Sequence, residues 1–165
     1  MAGDEKVAAW AALLRVHAAV VPLLEGELLQ SRGLPLAWYD VLLELNAAED
    51  HRLRMSELSE RVVLSRSRVS RVVDELEQAG HVSRESDPSD GRSAFAVVTR
   101  SGRAALRAAA PVYLAAVERH VTSHLTDQEA RQLAAALERV LEAAGGEPRP
   151  FRLRAPRRHA SPGRT

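Results

Sequence analysis

The residues best suited to chemistry lie between positions 65 and 71: Ser65, Arg66, Ser67, Arg68, Ser70 and Arg71, broken only by Val69. Guanidinium groups are planar forks that match phosphate oxygens or the edge of a guanine, and hydroxyls can donate to phosphate. From Arg61 to Arg71 there are four arginines and no acid; the acids wait until Asp74, Glu75 and Glu77. Such a group suits a polyanion along its front and repels one at its rear. No His and Asp stand near these serines in a triad-like arrangement, so they read as caps and phosphate donors rather than nucleophiles. The same residues also describe an ordinary amphipathic surface helix with a basic end.

Around these residues Val69, Val72, Val73 and Leu76 recur at i, i+3, i+4 and i+7, which puts four apolar side chains on one stripe of a helix over 65–79. Ser65 suits the N-cap, and Gly80 suits the stop because it takes positive φ without penalty. Ahead of it, Ser56 is expected to cap a short helix to about Val62, with Leu58 and Val62 inward. Three residues link the two helices, which is the helix-turn-helix pattern, and the basic front of the second makes it a candidate DNA recognition helix. Arg52 to Met55 alternates and can form one short strand.

After Gly80 the period changes from 3.6 to 2. His81 to Ser86 and Ala94 to Thr99 read as strands, with Phe95 and Val97 on one face; residues 87–93, DPSDGRS, read as a generous turn. A hairpin over 81–99 behind a recognition helix is a wing. Arg92 at its end suits a narrow minor groove, or an ion pair with Asp87 or Asp90; both can hold.

The flanks are helical. Trp10, Leu14, His17, Val21, Leu24 and Leu28 mark one stripe of a helix over 5–30, with Pro22 expected to kink it. Pro35 fits the first turn of a helix to about Asn46 with Trp38, Val41, Leu42 and Leu45 on its apolar face. Thr99 or Ser101 starts a long helix to about His124, with a stripe of Leu106, Ala110, Tyr113, Leu114, Val117 and Val121 and a bend at Pro111. Thr126 and Glu129 form a capping box for a last helix carrying Leu133, Leu137, Val140 and Leu141. The first helix and the last two carry more apolar area than one small winged domain can cover. The fold class is therefore mainly α (α+β), with a winged helix-turn-helix core at 35–100. The segments 1–34 and 101–146 form a layer that pairs with a second copy, and an Arg-rich tail at 147–165 is expected to be disordered.

Bulk properties agree. The 165 residues suffice for one domain; 45% are hydrophobic and 4% aromatic, so the core is mostly Leu, Val and Ala. No cysteine is present, which excludes disulfides and thiolate metal sites. Trp10, Arg15, His17 and Pro22 interrupt the most apolar stretch, so neither a membrane span nor a signal peptide is expected, and the cytoplasm is the default. The net charge of +1 hides an asymmetry: residues 148–165 hold six arginines and no acid, leaving a body of 17 basic and 22 acidic residues, a net −5. His120 and His124 have a zinc-compatible spacing, but no third ligand is evident, and a cation pair near a helix end fits as well. No phosphate-binding glycine loop, dinucleotide motif or nucleophile elbow appears, so neither an enzyme nor a cofactor is expected.

The block LRMSELSERVVLSRSRVSRVVDELEQAGHVSRESDPSDGRSAFAVVTRSG resembles the winged helix-turn-helix core of the multiple-antibiotic-resistance regulator family, MarR. The order is short strand, helix, recognition helix, then a wing with Asp90-Gly91-Arg92 and a Thr, here Thr99, leading into the long helix. GLPLAWYDVLLELNAA and LTDQEARQLAAALERV look like that family's second and last helices, so the likeness covers about residues 5–144. Val98-Thr99 stands where the family often has Leu-Thr. The resemblance implies a homodimer on double-stranded DNA, its half-sites about one turn (~34 Å) apart. It places Ser65, Arg66, Ser67, Arg68, Ser70 and Arg71 towards DNA and Arg92 in a minor groove, with Asp90 bracing Arg92 or a neighbouring arginine. It also implies a response to a small aromatic or phenolic anion, with Trp10, Arg15, His17 and Trp38 as candidate lining; packing tryptophans and a solvated Arg15 explain the same residues. The expectation is a transcriptional regulator, most often a repressor. The competing one is a helical protein that coats nucleic acid unspecifically through its basic tail.

Overall fold

A computed structural model describes residues 2–62, 64–87 and 90–146; the arginine-rich tail lies outside the described residues. The element order is α1 (Ala2–Arg32), α2 (Leu36–Ala47), β1 (Arg52–Arg54), α3 (Met55–Arg61), α4 (Arg66–Gln78), β2 (Val82–Asp87), β3 (Asp90–Val98), α5 (Arg100–His120) and α6 (Asp127–Ala143). The three strands form one antiparallel sheet in the order β1-β3-β2. The architecture is the expected winged helix-turn-helix between long terminal helices.

The core lies where α2, α3, α4, α5 and one sheet face meet. Tyr39, Val41, Leu42 and Leu45 from α2, Leu58 from α3, and Val69, Val73 and Leu76 from α4 are fully buried. Leu53 opposes Ala96 and Val82 opposes Val98, so these four side chains close the core from the sheet side. Phe95 and Val97 do share a face, but it is the outer one. There Phe95 lies under the guanidinium groups of Arg52 and Arg54, 4.8 and 5.6 Å from its centroid.

Several local expectations change. The N-cap of the short helix lies two residues early, at Arg54 rather than Ser56, because the Glu57 carboxylate accepts from the Arg54 N–H at 3.2 Å. The hairpin tip is tighter than the sequence suggests: β2 runs to Asp87 and β3 restarts at Asp90, with a register shift after Ser86. Pro35 is the N-cap of α2, not its first helical residue, and Trp38 is only half-buried while Tyr39 takes the inward place. On α5 the buried stripe is Gly102, Leu106, Ala109 and Ala116, and Leu114 is exposed. Pro22 and Pro111 lie inside α1 and α5, each a continuous helix as the sequence predicts. Within Asp4–Arg32, α1 is long enough and, over its most apolar 18 residues (mean hydropathy 1.8), apolar enough to cross a bilayer by length and composition, which corrects the expectation from its interruptions. Yet Leu24 and Leu28 pack inward, and Glu27 lies 2.7 Å from both Arg119 and His120. Those contacts bolt α1 to α5 and draw the Glu27 carboxyl below its ordinary range, His120 contributing most.

Candidate nucleic-acid interface

The helix α4 presents its two faces as the spacing demands. Val69, Val72, Val73 and Leu76 are buried, while Ser65, Arg66, Ser67, Arg68, Ser70 and Arg71 are all exposed. Among the described residues, Arg66, Arg68 and Arg71 make no ion pair within the chain. Ser65 holds the N-cap position, but its hydroxyl makes no cap bond and instead lies 3.3 Å from the Ser67 hydroxyl. The first-turn N–H groups of α4 are thus not claimed by that side chain. At the other end Gly80 has φ +75°; its N–H donates to Glu77 O and the His81 N–H to Leu76 O, a Schellman stop.

The rear acids of α4 are engaged, which sequence reasoning missed. The Arg84 guanidinium on β2 lies 2.6 Å from Asp74 and 3.7 Å from Glu77, and the Arg84 N–H donates to Glu77 at 3.2 Å. Trp38 Nε1–H donates to Glu75 at 3.0 Å, across 37 residues. The front of α4 is therefore positive and unpaired, while the charges that would oppose a polyanion are tied down. Only pairwise charge complementarity between a strand and the helix before it could have signalled Arg84.

The wing is anchored near its tip, at the last residue of β2. Arg54 Nε–H donates to the Asp87 carboxylate at 2.8 Å, and Asp87 is buried. One candidate partner of Arg92 is therefore engaged by β1. The side chains of Asp90 and Arg92 lie outside the described residues.

The four residues expected to line a ligand site are not brought together within one chain. Trp10, Arg15 and His17 are exposed on the first half of α1. Trp38 instead lines a cleft of about 400 Å³ with Glu25 and Pro35 on one side and Arg68, Arg71 and Glu75 on the other. His120 serves Glu27 and His124 is exposed; among the described residues no metal-ligating group is assembled.

An exposed basic helix in a helix-turn-helix, followed by a β2–β3 wing that β1 extends to a three-stranded sheet, defines a winged helix-turn-helix protein. The family model of the MarR family matches residues 32–93. Sco3205, a MarR family transcriptional regulator from Streptomyces coelicolor solved in complex with DNA, is 33% identical over 84% of this chain and 87% of its own, with a TM-score of 0.78. AbsC, a MarR family transcriptional regulator from the same organism, is 35% identical over 87% of this chain and 97% of its own, also with a TM-score of 0.78. The chain belongs to the MarR family. Transcriptional repressor MprA of Escherichia coli (strain K12) is 31% identical over 85 residues, 52% of this chain and 48% of MprA. The chain spans about half the length of the curated relatives it matches.

Proposed function

We propose that the protein is a DNA-binding transcriptional regulator, acting as a homodimer on a pseudo-palindromic duplex in the cytoplasm. The observation that carries this reading is the front of α4, where Arg66, Arg68 and Arg71 stand exposed without intramolecular ion pairs while the rear acids are held by Arg84 and Trp38. Residues 35–100 bind DNA: Ser65 to Arg71 enter a major groove, and Arg92 of the wing reaches the flanking minor groove with Asp90 bracing it. Residues 1–34 and 101–146 hold two copies together. Val7, Trp10 and Leu14 on α1 are 65%, 57% and 50% exposed, and α6 buries no residue, leaving Val140 62% exposed. Apolar stripes of that extent at both ends of a chain fit a second copy of the same chain.

The reading includes repression relieved by a small aromatic or phenolic anion. Of Trp10, Arg15, His17 and Trp38, Trp38 has the best-placed surroundings, because its cleft also holds Arg68 and Arg71.

Enrichment of duplexes from a random pool, with the full chain and with residues 148–165 deleted, tests the function. The truncated protein should enrich the same sites, because α4 and the wing read the sequence. Loss of all binding on truncation would instead favour a nucleic-acid-coating protein that works through its six tail arginines. Repeating the binding with a panel of aromatic acids tests the effector; release by none of them removes it.

A further inference from the structure

One sugar–phosphate strand separates each major groove from the next minor groove. A protein that inserts one element into each must pass that strand between the two elements. In this chain the space between α4 and the wing strands is a groove of about 470 Å³, lined by Ser56 and Ser59 of α3, Arg66 and Ser70 of α4, and Arg84 of β2. Resting on the proposed function, we infer that this groove seats one phosphate of the dividing strand, with Arg66, Ser56 and Ser70 as its donors.

The donor set follows from what each side chain is already doing. Arg66 has no ion pair among the described residues, and the exposed hydroxyls of Ser56 and Ser70 have no hydrogen-bond partner there. Ser59 is different: its hydroxyl donates to the Met55 carbonyl at 2.8 Å, so its proton is spent. Arg84 is different again. Its charge is matched by Asp74 at 2.6 Å and Glu77 at 3.7 Å, so it is a positioning residue that fixes β2 against α4 and sets the width of the groove. What remains is one free guanidinium and two hydroxyls. That is the complement of a single phosphodiester with one negative charge.

The experiment enriches a duplex with the full chain, then maps phosphate-ethylation interference on it. The wild type should be blocked at a phosphate lying between the protected major-groove bases and the minor-groove flank of each half-site. Arg66→Gln and Ser56→Ala should each bind about 3–10-fold more weakly and lose sensitivity at that phosphate, with base preference unchanged. For Arg66→Gln the slope of log affinity against log salt should also fall by about 0.9. Ser59→Ala should keep the interference. A wild-type pattern in the Arg66 and Ser56 variants, or a changed base preference in Arg66→Gln, overturns the inference. So does a wild type that enriches a duplex without interference between the grooves, and then the function stands. A wild type that enriches no duplex overturns both.

Discussion

Asp40 lies on α2 near Tyr113, and burial, with the charges of Glu44 and Glu25 added, pushes its pKa up to about 6. The neighbouring Tyr39 ring stacks on Tyr113 with centroids 4.6 Å apart; its hydroxyl is buried without a partner, and burial raises its pKa. A carboxyl whose pKa is higher folded than unfolded holds its proton more tightly in the native state. Asp40 therefore favours folding below pH 4, and that advantage is lost as pH rises through about 6. At pH 7.5 the ionised group costs on the order of 2 kcal/mol, so Asp40→Asn should be more stable than wild type there and equal to it near pH 4. Urea unfolding at the two pH values checks this, and equal midpoints at both would remove the argument. At the interface, Arg68 and Arg71 differ from Arg66 in surroundings: they border the Trp38 cleft, away from the groove beside the wing. Arg68→Ala or Arg71→Ala should cost about 1–3 kcal/mol and relax one base position if the guanidinium reads guanine. A uniform loss across all sequences would reassign that arginine to phosphate.

At the scale of elements, two glycines take opposite parts. Gly80 ends α4 with φ +75°, and although a Cβ there meets nothing within 4 Å, the backbone itself disfavours one. Gly80→Ala should destabilise by about 1–2 kcal/mol. Gly26 lies inside α1 with ordinary helical geometry and equally open space, so Gly26→Ala should stabilise by about 0.5–1 kcal/mol. Thermal melts of the pair check the contrast; the same sign for both would show that packing outweighs backbone. Such local signals are also what the sequence made legible. The periodicity of α4, the Gly80 stop, the Thr126–Glu129 capping box and the unbroken arginine front all depend on residues a few positions apart. Features set by distant partners were not readable. Glu57 claims the Arg54 N–H and shifts the start of α3; Tyr39 displaces Trp38 from the core because Trp38 reaches Glu75; and Arg84 joins the wing to α4. The outward turn of Phe95 follows from strand register: Leu53 and Val82 oppose Ala96 and Val98, and period-2 alternation alone cannot choose between two faces.

The whole molecule has a positive front on α4 and bare apolar stripes on its terminal helices, and in the proposed homodimer the two properties are linked by symmetry. In an interface made of the same patch on both copies, each substitution is felt twice. On α6, Leu133, Leu137, Val140 and Leu141 are 46%, 37%, 62% and 46% exposed in the single chain. Burying one such side chain contributes roughly 1.5–3 kcal/mol, so placing a carboxylate there loses at least twice that per dimer and weakens association by about 10²–10⁴-fold. Leu137→Glu and Val140→Asp should therefore sediment as monomers at micromolar concentration where wild type is a dimer. Because both positions are exposed on one chain, each variant should keep the helical circular dichroism of the wild type. Two half-sites bound by linked subunits gain from effective concentration, which separate monomers forfeit. The variants should then lose most of their affinity for a two-half-site duplex while retaining the weak, salt-sensitive binding of one α4 and one wing. A variant that stays dimeric would move the self-association surface off α6, and a monomeric variant with undiminished affinity would detach DNA reading from symmetry altogether.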